Sequence, residues 1–394
     1  MKVLVVHNRY RSEQPSGENN VVDQEVALLA DAGHEVGVFE RRSDDIAAMS
    51  LLEKATVPLR VPWNPAVRTE LTARLRAERP DVVHIHNTFP LLSPSVLAAC
   101  ADVGVPAVAT LHNYTMVCPP GTLYRDGHLC TSCVGTAPVP AVRHGCYRDS
   151  RLATVPMAVN LAVNRRRWWS GIARFFCISA AQRDFLVRAG MPVSRMLVKH
   201  NFVADPGIGR TGPGEHMLFL GRITAEKGIR LLMAAWERCG LEIPLVIAGT
   251  GPMQDEVARW AGSRDDVRYV GLQSKAECRE LLARSVAVVA PSTWLEAFGL
   301  VVVEAMAAGV PAIAPAHGAF PELVEDGVTG LLHHPNDPAS LADCLRRVVD
   351  GNDSMGTAAR RRYERDFTPS TGLTRLLAGY ESAMSEGAAR ALRP

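Results

Sequence analysis

Two short apolar runs flank an amphipathic segment in HMLFLGRITAEKGIRLLMAAWERCGLEIPLVIAG, residues 216–249. The runs HMLFL and LEIPLVIAG are typical of buried strands, and GIRLLMAAWERC between them is typical of a helix. A strand, a helix and a second strand in this order predict a βαβ unit, whose two strands are parallel. The stretch therefore predicts an α/β fold.

The same alternation continues on both sides of this stretch. Before it, strands are predicted at KVLVV (2–6), EVGVFE (35–40), DVVHIH (81–86), VPAVATLH (105–112) and ARFFCIS (173–179). After it, strands are predicted at VRYVG (267–271), SVAVVAPS (285–292), VPAIAPA (310–316) and GLLHH (330–334). In the first predicted helix, Val22, Val26, Leu29 and Ala30 recur at helical spacing and predict its buried face.

A segment rich in glycine and proline, VADPGIGRTGPGEH (203–216), interrupts this pattern and predicts an interdomain linker. We therefore expect two Rossmann-like, doubly wound parallel-sheet domains, over 1–203 and 204–370, that face each other across a cleft. The last segment, 371–394, is predicted to be helical and to pack back on one of the two, with the N-terminal domain as our assignment.

Composition narrows the class of protein. Of the 394 residues 47% are hydrophobic and 21% are charged, which is typical of a globular protein and excludes a disordered one. A net charge of +2 gives no reason to expect nucleic acid as a partner. The N-terminal apolar run is too short for a signal peptide, and no run is long enough for a membrane span. Nine mostly scattered cysteines favour a reducing, cytoplasmic setting.

Two glutamates stand in the apolar stretch WLEAFGLVVVEAM (294–306). Ligands of open parallel sheets bind beyond the carboxyl ends of the strands, and Glu296 lies in a loop at such an end. A helix is predicted from about Gly299 to Ala308, and its N-terminus suits a phosphate. Glu304, on the second turn, is placed to accept hydrogen bonds from sugar hydroxyls. The alternative is that Glu304 pairs with a cation and Glu296 is a solvated charge.

Two cations follow the strand HMLFL in LGRITAEKG (220–228). Arg222 and Lys227 lie between a strand end and a helix start, where they suit a diphosphate and would stabilise it as a leaving group. The alternative is a turn that carries surface charges. Turns at Gly251, and at Gly271 and Leu272, lie on the same predicted edge, where a nucleotide base could contact the backbone.

These motifs, with the continuation AMAAGVPAIAPAHGAFPELVEDGVTGLL (305–332), closely resemble the retaining glycosyltransferases of family 4, which have the GT-B fold. The resemblance covers nearly the whole chain. It implies a hexosyltransferase whose nucleotide-sugar donor, UDP-sugar first and GDP-sugar next, is held mainly by the C-terminal domain. It also implies transfer to a hydroxyl of a saccharide, a lipid-linked or a small-molecule acceptor at the N-terminal domain. The family needs no metal for its chemistry.

The resemblance assigns roles to individual residues. Glu304 would bind the ribose hydroxyls, Arg222 and Lys227 the diphosphate, and Glu296 the hydroxyls of the donor sugar. Backbone amides around this loop would help, at Phe298, Gly299, Leu300 and Val301. The family's usual mechanism is front-face attack, in which the departing phosphate accepts the proton of the acceptor.

In the N-terminal half the resemblance is carried by two loops. In QPSGENN (14–20), Gly17 stands where the family has a glycine loop that approaches the donor phosphates, although the family more often has a pair of glycines. In TLHNY (110–114), His112 matches the family's catalytic-site histidine near the donor sugar, and Asn113 replaces the usual aspartate. His84 and His86 are candidates for the acceptor pocket or for core packing, and Asn201 for the cleft.

A loop rich in glycine and proline, within 114–148, contains Cys118, Cys130, Cys133 and Cys146. Four cysteines, two of them as Cys-x-x-Cys, satisfy the count for a tetrahedral structural zinc site, which would stabilise a long loop that lacks a core. Thiols without a metal, including redox-active ones, are the alternative.

The stretch NRRRWWSGIARFF (164–176) places three arginines beside Trp168 and Trp169. Contact with anionic lipid headgroups at the inner membrane surface is one interpretation. A helix with a basic face and with tryptophans in the core is the interpretation we favour.

Three rival functions differ in what they require. An epimerase or hydrolase of sugar nucleotides on the same fold would turn over its substrate without an acceptor. A nicotinamide oxidoreductase needs Gly-x-Gly-x-x-Gly after the first strand, which VVHNRYRSEQPSG lacks. A non-catalytic binding scaffold would keep its biological activity when Glu296 and Lys227 are replaced by alanine.

Overall fold

The computed structural model describes residues 1–12, 16–210 and 212–391, and for 387–391 the backbone alone. The strands, in chain order, are β1 (Lys2–Arg9), β2 (Glu35–Arg42), β3 (Val82–Ile85), β4 (Ala107–Leu111), β5 (Tyr124–Arg125), β6 (His128–Leu129), β7 (Arg174–Cys177), β8 (Met196–Val198), β9 (His216–Leu220), β10 (Leu245–Ala248), β11 (Val267–Gly271), β12 (Ser285–Val289), β13 (Ala312–Pro315) and β14 (Gly330–His333).

The helices follow the strands in the predicted alternation. They are α1 (Gly17–Asp31), α2 (Asp45–Ala48), α3 (Leu51–Arg60), α4 (Pro65–Glu78), α5 (Ser95–Val103), α6 (Val139–His144), α7 (Arg151–Gly171), α8 (Ala180–Arg188), α9 (Ile229–Cys239), α10 (Gln254–Gly262), α11 (Lys275–Ala283), α12 (Leu300–Ala307), α13 (Phe320–Leu323), α14 (Pro338–Asp366) and α15 (Pro369–Ala391). No helix in the described part of the chain is long and apolar enough to cross a membrane.

Two six-stranded parallel sheets form the framework. Their strand orders are β2-β1-β3-β4-β7-β8 and β11-β10-β9-β12-β13-β14. In the second sheet the chain first adds strands on one side of β9 and then crosses to β12 on the other side. The order therefore reverses between β9 and β12, as in doubly wound nucleotide-binding sheets. The predicted α/β fold with two Rossmann-like parallel sheets is confirmed.

The chain divides into two compact units. The first comprises 1–123, 130–200 and 373–394, and the second comprises 124–129 and 201–372. These divisions lie within three residues of the expected ends of the domains. The hairpin of β5 and β6 differs from the expectation that the whole cysteine loop belongs to the N-terminal domain. It joins the second unit because the Tyr124 hydroxyl lies 3.1 Å from the Thr293 hydroxyl.

The first unit packs α1 and α15 on its sheet. The side chain of Ser16 caps α1 by accepting a hydrogen bond from the Asn19 amide. In α15, the buried residues Leu376, Tyr380 and Ala383 belong to the same apolar cluster as β1 and β7.

The buried face of α1 differs from the predicted one. Its buried residues are Val21, Val22, Glu25 and Leu29, whereas Ala30 is exposed. The prediction selected apolar residues only, so it passed over Glu25, whose side chain lies in the interior.

Candidate functional site

The second unit places its candidate site where the strand order reverses. β9 and β12 are adjacent and parallel, so their carboxyl ends lie at the same edge. The loop that contains Arg222 and Lys227 follows β9, and the loop that contains Glu296 follows β12. Ligands of doubly wound sheets bind at this point of reversal. The residues selected from two distant parts of the sequence are therefore brought to one edge.

Lys227 and Glu296 form an ion pair between these two loops. The Lys227 ammonium donates a hydrogen bond to a carboxylate oxygen of Glu296. The Ser292 hydroxyl donates to the same oxygen at 3.0 Å. Burial alone would raise the pKa of Glu296, but the charge and the hydrogen bond of Lys227, with the Ser292 hydroxyl, bring it below its ordinary value. The carboxylate is therefore buried and charged, which excludes the alternative of a solvated charge.

The two loops are in close contact beside this pair. Gly228 caps the start of α9 with a φ of 76°, and a β-carbon there would lie 1.9 Å from the Pro291 carbonyl oxygen. The Thr293 amide donates to the Glu226 carbonyl at 2.9 Å. Glycine is required at 228 by both the backbone conformation and the space.

A third loop, which sequence reasoning missed, fixes the backbone around Glu296. The Ala319 amide donates to the Glu296 carbonyl at 3.1 Å. His317 Nε2 lies 3.0 Å from the Ser292 carbonyl, and burial lowers the pKa of this imidazole, so the neutral ring acts as the donor. The stretch HGAF follows β13, so a strand-end criterion applied to every strand could have found it.

Arg222 is the more exposed of the two cations. Its side chain is 51% exposed, and its guanidinium lies 3.6 Å from the Glu226 carboxylate, which makes a weak surface pair. The turn after β10 packs against its backbone, because the Ile223 amide donates to the Thr250 carbonyl at 2.8 Å. Gly251 therefore lies beside Arg222 at the edge of the sheet where the sequence places it.

Helix α12 begins directly after the Glu296 loop. Gly299 precedes it with a φ of 110°, and a β-carbon there would meet the Phe320 ring at 2.8 Å. Leu300 and Val301 form the first turn, whose backbone amides lack partners within the helix. Phe298 is buried with its ring 6.2 Å from that of Phe367, so only its backbone is placed at this edge.

Glu304 is the carboxylate whose partner the sequence left open. Its side chain is half-buried and forms no hydrogen bond or ion pair within the described ranges. Burial raises the pKa of Glu304, and the charge of Lys275 offsets this in part. Lys275 begins α11, three residues after Leu272, which is 61% exposed. Glu304 therefore lies near the turn that contains Gly271 and Leu272.

The first unit places His112 beside another histidine. His112 follows β4 and His86 follows the adjacent strand β3, and His112 Nε2 lies 3.0 Å from His86 Nδ1. Burial lowers the pKa of both imidazoles well below 6.5, so both rings are neutral. Asn113 accepts a hydrogen bond from the Thr115 amide at 3.0 Å. The residue that departs from the family pattern therefore stabilises its own turn.

Beneath His112 lies a buried polar network around Glu25. The Lys199 ammonium donates to one carboxylate oxygen of Glu25, and the other oxygen lies 3.7 Å from His86 Nε2. His84 is fully buried, with its nitrogens 2.8 Å from the hydroxyls of Tyr380 and Thr110. His84 is therefore a core residue, as one of the two interpretations had it. Glu25 could have been identified by its spacing, because it lies four residues from both Val21 and Leu29 on the buried face of α1.

A metal site in the described part of the chain needs at least three His, Cys, Asp or Glu side chains close together. Glu25, His84 and His86 are the one group there whose ligand atoms lie within 4.8 Å of one another. Both nitrogens of His84 already have hydrogen-bonding partners, and the Lys199 ammonium is paired with the same carboxylate. A second cation at this place would be repelled, so the group is better described as a hydrogen-bonding network.

The four cysteines of the predicted zinc site do not form such a group. Cys118 is close enough to Cys133 for the two thiols to affect each other's charge, and its sulfur is near the amides of Gly121 and Leu123. Burial raises the pKa of Cys118 to about 11. The structure therefore brings Cys118 and Cys133 near each other.

Three further predicted residues are placed as follows. Gly17 is the first residue of α1 and not the middle of a loop, because Ser16 already caps the helix. Residues 13–15 of the predicted glycine loop lie outside the described residues. Asn201 is buried, with 3% of its surface exposed.

Of the two tryptophans in the basic segment, Trp168 is buried and Trp169 is half-buried. Trp168 is 8% exposed. The Arg167 guanidinium lies 4.8 Å from the centre of the Trp63 ring. Trp168 is therefore a core residue, whereas Arg166 and Arg167 are exposed.

Comparisons with known proteins cover nearly the whole chain. Residues 207–365 match the family described as "Glycosyl transferases group 1", and residues 15–205 match "Glycosyltransferase Family 4". The chain is 30% identical to a glycogen synthase of Mycobacterium tuberculosis (strain ATCC 25618 / H37Rv), over 95% of this chain and 93% of that one. It is 25% identical to a phosphatidyl-myo-inositol mannosyltransferase of Mycobacterium leprae (strain TN), over 96% of each.

A solved structure shows the same fold. The Anabaena protein Alr3699/HepE, crystallised with UDP, superposes with a TM-score of 0.69 at 20% identity, over 97% of this chain and all of that one. The parallel sheets, the family matches and these relatives agree with one another. The chain is a GT-B glycosyltransferase and belongs to glycosyltransferase family 4.

Proposed function

We propose that the enzyme transfers a hexosyl group from a nucleotide diphosphate sugar to an acceptor hydroxyl, with retention of the anomeric configuration. The observation that carries the donor assignment is the half-buried carboxylate of Glu304, which has no hydrogen-bond or ion-pair partner among the described residues and lies near the turn of Leu272. A carboxylate that is partly removed from water is stabilised by hydrogen-bond donors. The two hydroxyls of a ribose supply them.

The diphosphate is assigned to the edge between β9 and β12. Arg222, Lys227 and the first-turn amides of α12 all lie on the loops that follow these adjacent strands. Two cations and a helix N-terminus stabilise the negative charge that develops on a departing diphosphate. Gly17, at the start of α1, is assigned to the donor phosphates on the family pattern alone.

Glu296 is assigned to the hydroxyls of the donor sugar. Its hydrogen bonds from Lys227 and Ser292 fix one carboxylate oxygen, and the carboxylate is charged. A fixed anion accepts hydrogen bonds from a sugar without a cost for reorganisation. The turn at Gly251 and the turn at Gly271 and Leu272 are assigned to the phosphates and the base.

His112 is assigned to the sugar end of the donor. Because the imidazole is neutral, it supplies a hydrogen bond and not a positive charge. We assign no side chain as a general base. In a front-face mechanism the departing phosphate oxygen takes the acceptor proton while the bond to the anomeric carbon forms on the same face.

The solved structures support a UDP-sugar as the first choice of donor. A GDP-sugar is the next choice, on the resemblance to the family alone. The Anabaena protein binds UDP and, in a further crystal, UDP-glucose. The named relatives are a glycogen synthase and a phosphatidyl-myo-inositol mannosyltransferase, and the chain spans 93% and 96% of their lengths. Saccharide and lipid-linked acceptors are therefore both proposed for this enzyme, with small-molecule acceptors as the third class.

A thermal-shift panel tests the donor assignment. A ligand that binds only the folded state stabilises it and so raises the melting temperature. At a ligand concentration of one hundred times the Kd, the unfolding free energy rises by about 2.7 kcal/mol. UDP and UDP-sugars are expected to raise it more than ADP, CMP or NADH. Equal shifts for NADH, or none for any nucleotide diphosphate, would overturn the donor site.

Turnover of the sugar nucleotide with and without an acceptor separates the transferase from an epimerase or hydrolase. The panel uses maltooligosaccharides, inositol and short-chain lipid-linked sugars, with nucleotide diphosphate release as the readout. Release that depends on one acceptor class is expected.

Structural zinc at Cys118, Cys130, Cys133 and Cys146 stays a prediction, which metal analysis of the protein purified without chelator tests.

A further inference from the structure

Helix α7 exposes an apolar stripe. Leu152, Val155, Val159 and Val163 are 86%, 39%, 42% and 63% exposed. Their spacing of three and four residues places them on one side of the helix. The stripe is about 16 Å long at 1.5 Å per residue. The opposite side, with Met157, Leu161 and Trp168, is buried.

Two segments that contact other sides of α7 also have exposed apolar side chains. Arg165 of α7 donates a hydrogen bond to the Thr136 carbonyl, three residues before Val139, which is 67% exposed. The Asn164 amide donates to the Pro62 carbonyl, so the end of α3 also contacts α7, and Leu59 near that end is 76% exposed. A contiguous helix face with this much exposed aliphatic surface is typical of an interaction site.

The charge around this stripe has one sign. Residues 139–171 contain six arginines and one acidic residue, Asp149. The side chains of Arg143, Arg148, Arg151 and Arg166 are exposed, and none of the four forms an ion pair within the described part of the chain. Arg151 and Arg166 stand at the two ends of the stripe. We call the stripe with these two arginines the α7 face.

We propose that the α7 face docks on the surface of an anionic lipid bilayer. Aliphatic side chains enter the boundary between headgroups and acyl chains, and arginines at the ends of the stripe pair with phosphate groups. A second copy of the chain fits less well. Whether the two helices run parallel or antiparallel, arginines at the ends of the stripe would face arginines, without enough acidic residues to compensate.

Docking through the α7 face narrows the acceptor. A chain held at a bilayer meets lipid-linked acceptors, so the proposal favours that class among the three, a step that rests on the proposed function. Binding to the bilayer itself needs neither donor nor acceptor. It can therefore be measured whether or not sugar transfer has been found.

Vesicle flotation with the full chain tests the proposal. Vesicles of phosphatidylcholine with 30% phosphatidylglycerol are expected to bind the protein, and vesicles of phosphatidylcholine alone to bind it at least tenfold more weakly. The variant L152Q/V163Q is expected to lose binding about tenfold, and R151Q/R166Q to lose it similarly and to lose its salt dependence.

Matched variants control for the changes in composition. I208Q/V328Q removes two exposed aliphatic residues and R259Q/R361Q two exposed arginines, all from the second unit, and both should bind like the unchanged protein. Absence of binding to anionic vesicles overturns the proposal, as does full binding by L152Q/V163Q. Light scattering decides the remaining alternative, because a dimer that L152Q/V163Q converts to a monomer would assign the face to self-association.

Discussion

Lys227 and Glu296 form a partly buried ion pair that joins the loop after β9 to the loop after β12. The two residues are 69 positions apart in the chain, and their strands are neighbours in the sheet. The pair fixes a carboxylate and an ammonium at the point where the strand order reverses. Its partners explain why a glutamate is retained within an apolar segment.

Removal of the Lys227 ammonium should abolish most of the activity. In Lys227→Met, both the charge opposite the diphosphate and the partner of Glu296 are lost, so kcat should fall by about two orders of magnitude or more. Arg230→Met is the control, because Arg230 also lies at the start of α9 but pairs with Glu256 at the surface. An equal loss of kcat in both variants would show that the site is not at the edge where the strand order reverses.

Gly228 should tolerate no side chain. Gly228→Ala requires a left-handed backbone and a β-carbon 1.9 Å from the Pro291 carbonyl oxygen, so the loops must separate. Gly240→Ala, at the other end of α9, has a φ of 63° and no atom within 4 Å of the new β-carbon. Both variants carry about 1 kcal/mol of backbone strain, so urea unfolding should show a larger loss of stability for Gly228→Ala. Equal losses would mean that the close approach costs nothing.

Removing one partner of the Glu25–Lys199 pair should destabilise the protein more than removing both. Lys199→Met leaves a buried carboxylate without its cation, which costs about 3–5 kcal/mol of unfolding free energy. The double variant Glu25→Leu/Lys199→Met leaves no charge unpaired and should recover much of that loss. Chemical denaturation of both variants measures the difference. A double variant less stable than Lys199→Met would contradict this description of the network.

Acid should destabilise the first unit through its histidines. Burial lowers the pKa of His84, His86 and His112 well below 6.5, their ordinary value. Below pH 6.5 the unfolded chain therefore binds protons that the folded chain does not, and stability falls as the pH falls.

Each of these histidines contributes at most about 1.4 kcal/mol per pH unit to the slope of stability against pH. His86→Asn should lower the slope between pH 6.5 and 5 by that amount. The exposed residue His128 provides the control, because His128→Asn should leave the slope as it is. The measurement is the unfolding free energy at several pH values, and an unchanged slope in His86→Asn would refute the prediction.

The fold and much of the donor edge could be predicted from the sequence, because parallel strands buried on both faces leave uninterrupted apolar runs. The positions of β9, β10, β12, β13 and β14 follow from such runs, and the start of α12 after Gly299 follows from glycine. The runs overestimate the lengths of β10, β12 and β13. Glu25 and His317 could not be found in this way. Their roles depend on contacts with Lys199 and with the Ser292 carbonyl, and the first of these partners is 174 residues away.

Binding of UDP and of 2′-deoxy-UDP by calorimetry tests the role of Glu304 most directly. The unchanged enzyme should bind UDP at least about tenfold tighter, since a hydrogen bond to a charged group contributes about 1.5–3 kcal/mol. Glu304→Gln should bind the two nucleotides with nearly equal affinity, while the control Glu242→Gln, at an exposed position of the same unit, should keep the preference. A Glu304→Gln variant that still prefers UDP tenfold would contradict the assignment of this carboxylate to the ribose.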